Sequence, residues 1–161
     1  MVDAVSPIPV IAAGGIADGR GLAAQGINIG TRFVASTESG VADEWKRAIV
    51  AAESEDTVKI SFAEHVAPPV TEGGWPTLPR SLRTPFIDAY NDRPEEAARQ
   101  ADRLRKELMD ALSEGEAHEL IPLTGETAGL IKDVIPAVEI VRRMIEGAEQ
   151  AFASMEDLIR A

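Results

Sequence analysis

Residues 8–33 read IPVIAAGGIADGRGLAAQGINIGTRF, and the order of apolar runs and glycines in this stretch decides the fold class. Two short β-type runs, Ile8 to Ala13 and Gly26 to Phe33, flank a Gly-rich connection. Continuous apolar runs of this length suit buried parallel strands. Asp18 can cap a short helix through Ala24, so the order strand, helix, strand predicts a βαβ unit with a right-handed crossover. Gly14 and Gly15 fall just after the first run, and the second ends in Gly30 and Thr31. At such turns small residues let backbone N–H groups approach an anion, and a helix N-terminus adds partial positive charge. With the strands side by side, both turns lie at one edge of the sheet, where Thr31 adds a hydroxyl donor. The same glycines also serve a plain strand-to-helix turn. The stretch is neither a Walker A loop nor G-x-G-x-x-G in register.

The rest of the chain limits what surrounds this unit. At 161 residues it is too short for a complete (β/α)₈ barrel of about 250 residues. Lys and Arg number 16 against 27 Asp and Glu, a net charge of −11 that repels phosphate backbones and argues against nucleic-acid partners. The hydrophobic fraction of 45% supplies a core and marks a globular chain. The absence of Cys excludes disulfides, thiolate nucleophiles and Cys-ligated metal centres. No apolar run is long enough to span a membrane, and the first residues lack the basic region of a signal peptide, so the expected compartment is the cytoplasm.

Downstream, Ala42, Trp45, Ile49 and Ala52 recur at helical spacing between Ser39 and Ala52, with Asp43 and Arg47 as an i, i+4 pair. Thr57, Val58, Ile60 and Phe62 alternate as a strand within 53–62, followed by a long irregular loop from Pro68 to Pro85 that carries Trp75. Ala97, Ala101, Leu104, Leu108 and Leu112 form one stripe of a helix from Glu95 to Leu112, with Glu95–Arg99 and Asp102–Lys106 pairs, and Gly115 ends it. Pro136 opens a last helix to Ile159, whose expected buried face is Val138, Val141, Ile145, Ala148, Phe152, Met155 and Ile159.

The residues carry a resemblance. IPVIAAGGIADGRGLAA followed by GINIGTRFVAS resembles the C-terminal half of the nitronate monooxygenase family, formerly the 2-nitropropane dioxygenases, which are FMN-dependent barrel enzymes. GWPTLPRSLRTPFIDAY (74–90), TGETAGLI (124–131) and PAVEIVRRMIEGAEQ (136–150) are similar to that family's second domain and returning C-terminal helix. The resemblance implies an α/β chain comprising the last strands and helices of a partial (β/α)₈ TIM barrel with a mostly helical second domain. It divides the chain into 1–53 in the barrel, 54–134 in a loop-rich helical domain, and 135–161 in the helix packing back on the barrel. It also implies that Gly14, Gly15, Asn28, Ile29, Gly30 and Thr31 hold the FMN phosphate.

The resemblance further implies an alkyl nitronate and dioxygen as substrates, and a truncated form, because the family's catalytic His lies upstream of the matching motifs. The βαβ connection is about six residues shorter between Leu22 and Gln25 than in relatives, near the minimum of about 10 to 12 for such a crossover. No catalytic or metal-ligating residue is assigned: His65 and His118 read as solvated or core-edge histidines without ligand-spaced carboxylates. Arg20 reads as a partner of Asp18, Arg32 of the acids around Glu38, and Glu126 as part of a segment capped by Thr124 or Thr127. Trp45 and Trp75 read as packing residues. Two alternatives stay open: a non-catalytic α/β fragment acting through oligomerisation or a partner such as the missing N-terminal half, and an FMN-type enoyl-acyl carrier protein reductase relative.

Overall fold

The computed structural model describes residues 11–18, 26–66 and 78–160. Strands β1 (Ile11–Ala13) and β2 (Gly26–Asn28) pair in parallel, with Ile11 opposite Gly26 and Ala13 opposite Asn28. The crossover helix expected before Ala24 lies outside the described residues, as do Ile8 and Arg20. The second run ends as a strand at Asn28: Thr31–Val34 forms the short helix α1, because the amides of Phe33 and Val34 both turn back to the Gly30 carbonyl.

Helix α2 spans Asp43–Ala51, with Asp43 and Glu44 in its first turn, where acids complement the exposed amides. Arg47 pairs with Glu44 and not with Asp43, which instead faces Lys46. The expected strand over 53–62 is shorter, because Glu53 and Asp56 cap each other's backbone around a 3₁₀ turn at Ser54–Asp56. Strand β3 is Thr57–Lys59, and Phe62 lies in the turn before α3 (Ala63–Val66). Trp75 and most of the expected loop fall outside the described residues; at its end β4 (Arg80–Leu82) pairs antiparallel with β3, Val58 opposite Ser81.

Thr84 caps α4 (Pro85–Tyr90), its Oγ1 accepting from the Ile87 amide at 3.2 Å, and Pro85 occupies the first turn. The single helix expected from Glu95 to Leu112 is two, α5 (Pro94–Arg99) and α6 (Ala101–Glu114). Gln100 leaves helical geometry with ψ near 14°, and its side-chain oxygen accepts from Arg103. The bend brings Ala97 and Leu104 into one cluster while Leu112 stays exposed. Arg93–Glu96, Arg103–Glu107 and Lys106–Asp110 replace the two expected pairs. Gly115 ends α6 at φ 80°, and the Glu116 amide closes back on the Ala111 carbonyl at 2.8 Å.

After α7 (Ala117–Leu120) and a 3₁₀ turn at Glu126–Leu130, α8 runs over Ala137–Arg160. Its burial differs from expectation. Ile140, Met144 and Ala148 face inward, whereas Val138 is 75% exposed and Val141, Ile145 and Phe152 are exposed as well. Among the described residues, the apolar arc of α8 is wider than the surface that α1 and the Asp133 loop cover. The side chains of Met155 and Ile159 are outside the described set.

Among the described residues, two apolar clusters form the core. One gathers Ile60, Phe62, Val66, Ile87, Ala97 and Leu104, with the rings of Phe62, Phe86 and Tyr90 5.8 to 6.0 Å apart. The other gathers Ala35, Ile49, Ala52, Leu82, Ala128 and Ile131, flanked by Trp45. Between them the buried Pro122 carbonyl accepts from the Leu82 amide, the Ser81 hydroxyl and the Thr124 hydroxyl at 3.2, 2.8 and 2.8 Å. Among the described residues no helix is long and apolar enough to cross a membrane.

Candidate functional site

Because β1 and β2 are parallel and in register through Ala13 and Asn28, the turns that follow them leave the sheet at the same end. Gly14 and Gly15 adopt φ of 77° and 70°, a conformation that costs other residues about 1 kcal/mol or more each. Among the described residues, a Cβ built at Gly14, Gly15 or Gly30 would meet nothing within 4 Å, so the backbone of both turns borders open space there. The first amides of α1 have no intrahelical acceptor, as at any helix start. The Thr31 hydroxyl stands at the same place, half-buried, accepting the Gly125 amide at 2.9 Å. The donors are therefore backbone N–H groups plus one hydroxyl, a set that suits a phosphate. This arrangement fits an FMN phosphate.

Of the six residues that the resemblance implies for the phosphate, Gly14, Gly15, Ile29 and Gly30 lie in the two turns, with Asn28 closing β2 and Thr31 opening α1 beside them. Asn28 is exposed. Ile29 belongs to another feature, an open apolar groove of 580 Å³ lined by Ile11, Ile27, Ile29, Phe33, Val141 and Ile145.

Arg32 is committed to Asp133. Its guanidinium is buried and donates to the Asp133 carbonyl at 2.8 Å and carboxylate at 2.9 Å, which corrects the expected pairing with Glu38. Glu38 instead accepts the Ala137 amide at the start of α8 and, second, the Thr37 hydroxyl, and these bonds lower its pKa. Burial lowers the Arg32 pKa, Asp133 opposes that shift, and Arg143, on the other Asp133 oxygen at 2.9 Å, adds to it. Glu126 pairs with Arg80 at 2.6 Å, and no threonine side chain caps its turn: Thr124 donates to the Pro122 carbonyl. Trp45 packs beside the second cluster and donates from Nε1 to Thr124.

The histidines stand apart from the turns. His65 lies 3.8 Å from Glu64 on α3, and His118 lines a cleft of 490 Å³ with Glu44, Trp45, Asp56, Arg83 and Glu119. This cleft escaped the sequence reading because α2, β4 and α7, which form it, are far apart in the chain. The Gly125 to Thr31 bond, spanning 94 positions, was hidden for the same reason.

A family model described as nitronate monooxygenase matches residues 1–147. The nitronate monooxygenase npaC of Metarhizium robertsii is 34% identical over 93% of this chain and 44% of its own length. A nitronate monooxygenase of Neurospora crassa is 28% identical over 92% of this chain and 40% of its own. Among solved structures, FabK from Thermotoga maritima superposes with a TM-score of 0.75 at 35% identity, over 94% of this chain and 47% of that one. A nitroalkane oxidase from Streptomyces ansochromogenes shares the fold, with a TM-score of 0.65 at 24% identity over 95% of this chain and 42% of that one. The chain thus spans less than half the length of these relatives.

Proposed function

Because the chain belongs to the nitronate monooxygenase family, we propose that it supplies the FMN-phosphate end of a flavin-dependent barrel whose reaction is the oxidation of alkyl nitronates with dioxygen. The observation that carries this reading is the pair of glycine turns leaving β1 and β2 at one end, with open space over Gly14, Gly15 and Gly30. Backbone amides of the two turns and the Thr31 hydroxyl would hold the phosphate, with Asn28 and Ile29 completing the stretch. FMN, when bound, supplies the redox chemistry, and the protein binds and orients it. On this reading residues 1–53 are the end of a partial (β/α)₈ barrel, 54–134 a small second domain, and 135–161 the helix returning to the barrel. The location is cytoplasmic and the partners are small molecules. The exposed side of α8 and the groove beside β1 and β2 support a further element of the reading, contact with a complementary barrel half or a second copy.

The test is the absorbance spectrum of the purified 161-residue chain after incubation with FMN and desalting. Stoichiometric flavin is the expected result. A folded chain that retains none overturns autonomous cofactor binding and leaves the non-catalytic, partner-dependent alternative. A second reading, an FMN-type enoyl-acyl carrier protein reductase relative, draws on the likeness to FabK. Oxygen uptake with alkyl nitronates, set against oxidation of a reduced nicotinamide by an enoyl thioester, separates the two.

A further inference from the structure

We propose that Gly125 is a positioning residue for the phosphate site, its backbone N–H holding the Thr31 hydroxyl so that the O–H bond turns toward the anion; this inference rests on the FMN reading above. A threonine hydroxyl carries one donor and two acceptor lone pairs, and it rotates freely unless something occupies one of them. Here the Gly125 amide donates to Thr31 Oγ1 at 2.9 Å. Among the described residues that hydroxyl donates to no protein acceptor. With the lone pair on the Gly125 side taken, the hydrogen is confined to the remaining arc, and the preceding residue, Gly30, leaves space beside it among the described residues. A rotor fixed before the ligand arrives loses less entropy on binding.

Gly125 is itself held in place. Its neighbour Thr124 donates from the backbone to the Arg80 carbonyl at 2.9 Å, and Glu126 on its other side pairs with the Arg80 side chain at 2.6 Å. The glycine is there for room and not for its backbone conformation: φ −77° and ψ 169° are open to any residue. A Cβ at this position would stand 3.2 Å from Thr31 Oγ1, closer than the hydroxyl accepts without moving. Gly125→Ala therefore displaces the hydroxyl without straining the chain.

The experiment titrates the full chain with FMN and with riboflavin, which lacks the phosphate, following flavin fluorescence. Gly125→Ala is expected to weaken FMN about tenfold, the scale of one hydrogen bond to a charged group, and to leave riboflavin unchanged. Thr31→Val should show the same selective loss, Thr31→Ser should keep FMN affinity, and Gly125→Ala should add nothing in the Thr31→Val background. A parallel loss of both ligands, or effects of the two substitutions that multiply, would overturn the positioning role. An unaltered chain that binds FMN no tighter than riboflavin overturns the phosphate reading and this inference together. A preference for FMN that survives Gly125→Ala overturns the inference alone.

Discussion

Arg32 follows Thr31 directly, yet its charge is spent inside the protein. The guanidinium is buried, and Asp133 meets it through both carbonyl and carboxylate. Removing the carboxylate leaves a buried cation with one backbone acceptor, so Asp133→Ala should destabilise the chain by about 2 kcal/mol in urea unfolding; the fully buried limit of about 3 to 5 is discounted because Asp133 is partly exposed. The sequence shows that a cation stands at this position but not its partner, because Asp133 lies 101 residues away while Glu38 lies close by. Glu139 offers a pH test. Hydrogen bonds from Arg142, then Arg143, lower its pKa from 4.5 to about 2. A lowered carboxyl pKa stabilises the folded chain fully above pH 4.5 and loses that effect as pH falls through about 2. Glu139→Gln should therefore lower the urea midpoint at about pH 6 and match the parent at about pH 2. Added salt should shrink the difference, since the pair is at the surface.

Among the elements, α6 and α8 show what periodicity reveals and what it hides. Gly115 was legible as the end of α6 because a left-handed C-terminal residue is almost always glycine. Nothing lies within 4 Å of a Cβ built there, so Gly115→Ala costs backbone strain alone, about 1 kcal/mol by thermal melting, and Gly115→Asn should cost less. The amphipathic period of α8 was equally legible, but a wide apolar arc does not say which side packs. Ile140 and Met144 won because α1 and the Asp133 loop lie under them, a neighbour relation fixed by tertiary contacts. The bend at Gln100 and the strand β4 were missed for related reasons. An unbroken apolar stripe looks the same through a kink, and the three residues of β4, set between Pro79 and Pro85, acquire strand character only by pairing with β3.

For the molecule as a whole, the parallel pair of β1 and β2 beside a groove of 580 Å³ and the outer arc of α8 present apolar surface to solvent. A hydrophobic dye such as anilinonaphthalene sulfonate should fluoresce on the folded chain, and the pair Val141→Glu and Ile145→Lys should quench most of that signal. Because both side chains are exposed, stability should move by no more than about 0.5 kcal/mol per site. The parallel pairing of β1 and β2 and the two glycine turns were legible in local sequence, while the helix expected between the strands lies outside the described residues; the meeting of the apolar clusters was not legible, since it depends on contacts between distant segments. That meeting has a reporter of its own in the Pro122 carbonyl. An amide carbonyl that accepts several hydrogen bonds is polarised, and its stretching vibration softens. A ¹³C label on this one carbonyl would give an infrared band set apart from the bulk amide envelope and shifted to low frequency in the folded chain. As Ser81, Leu82 and Thr124 let go, the band would climb back, timing the parting of the two clusters during unfolding independently of the helices around them.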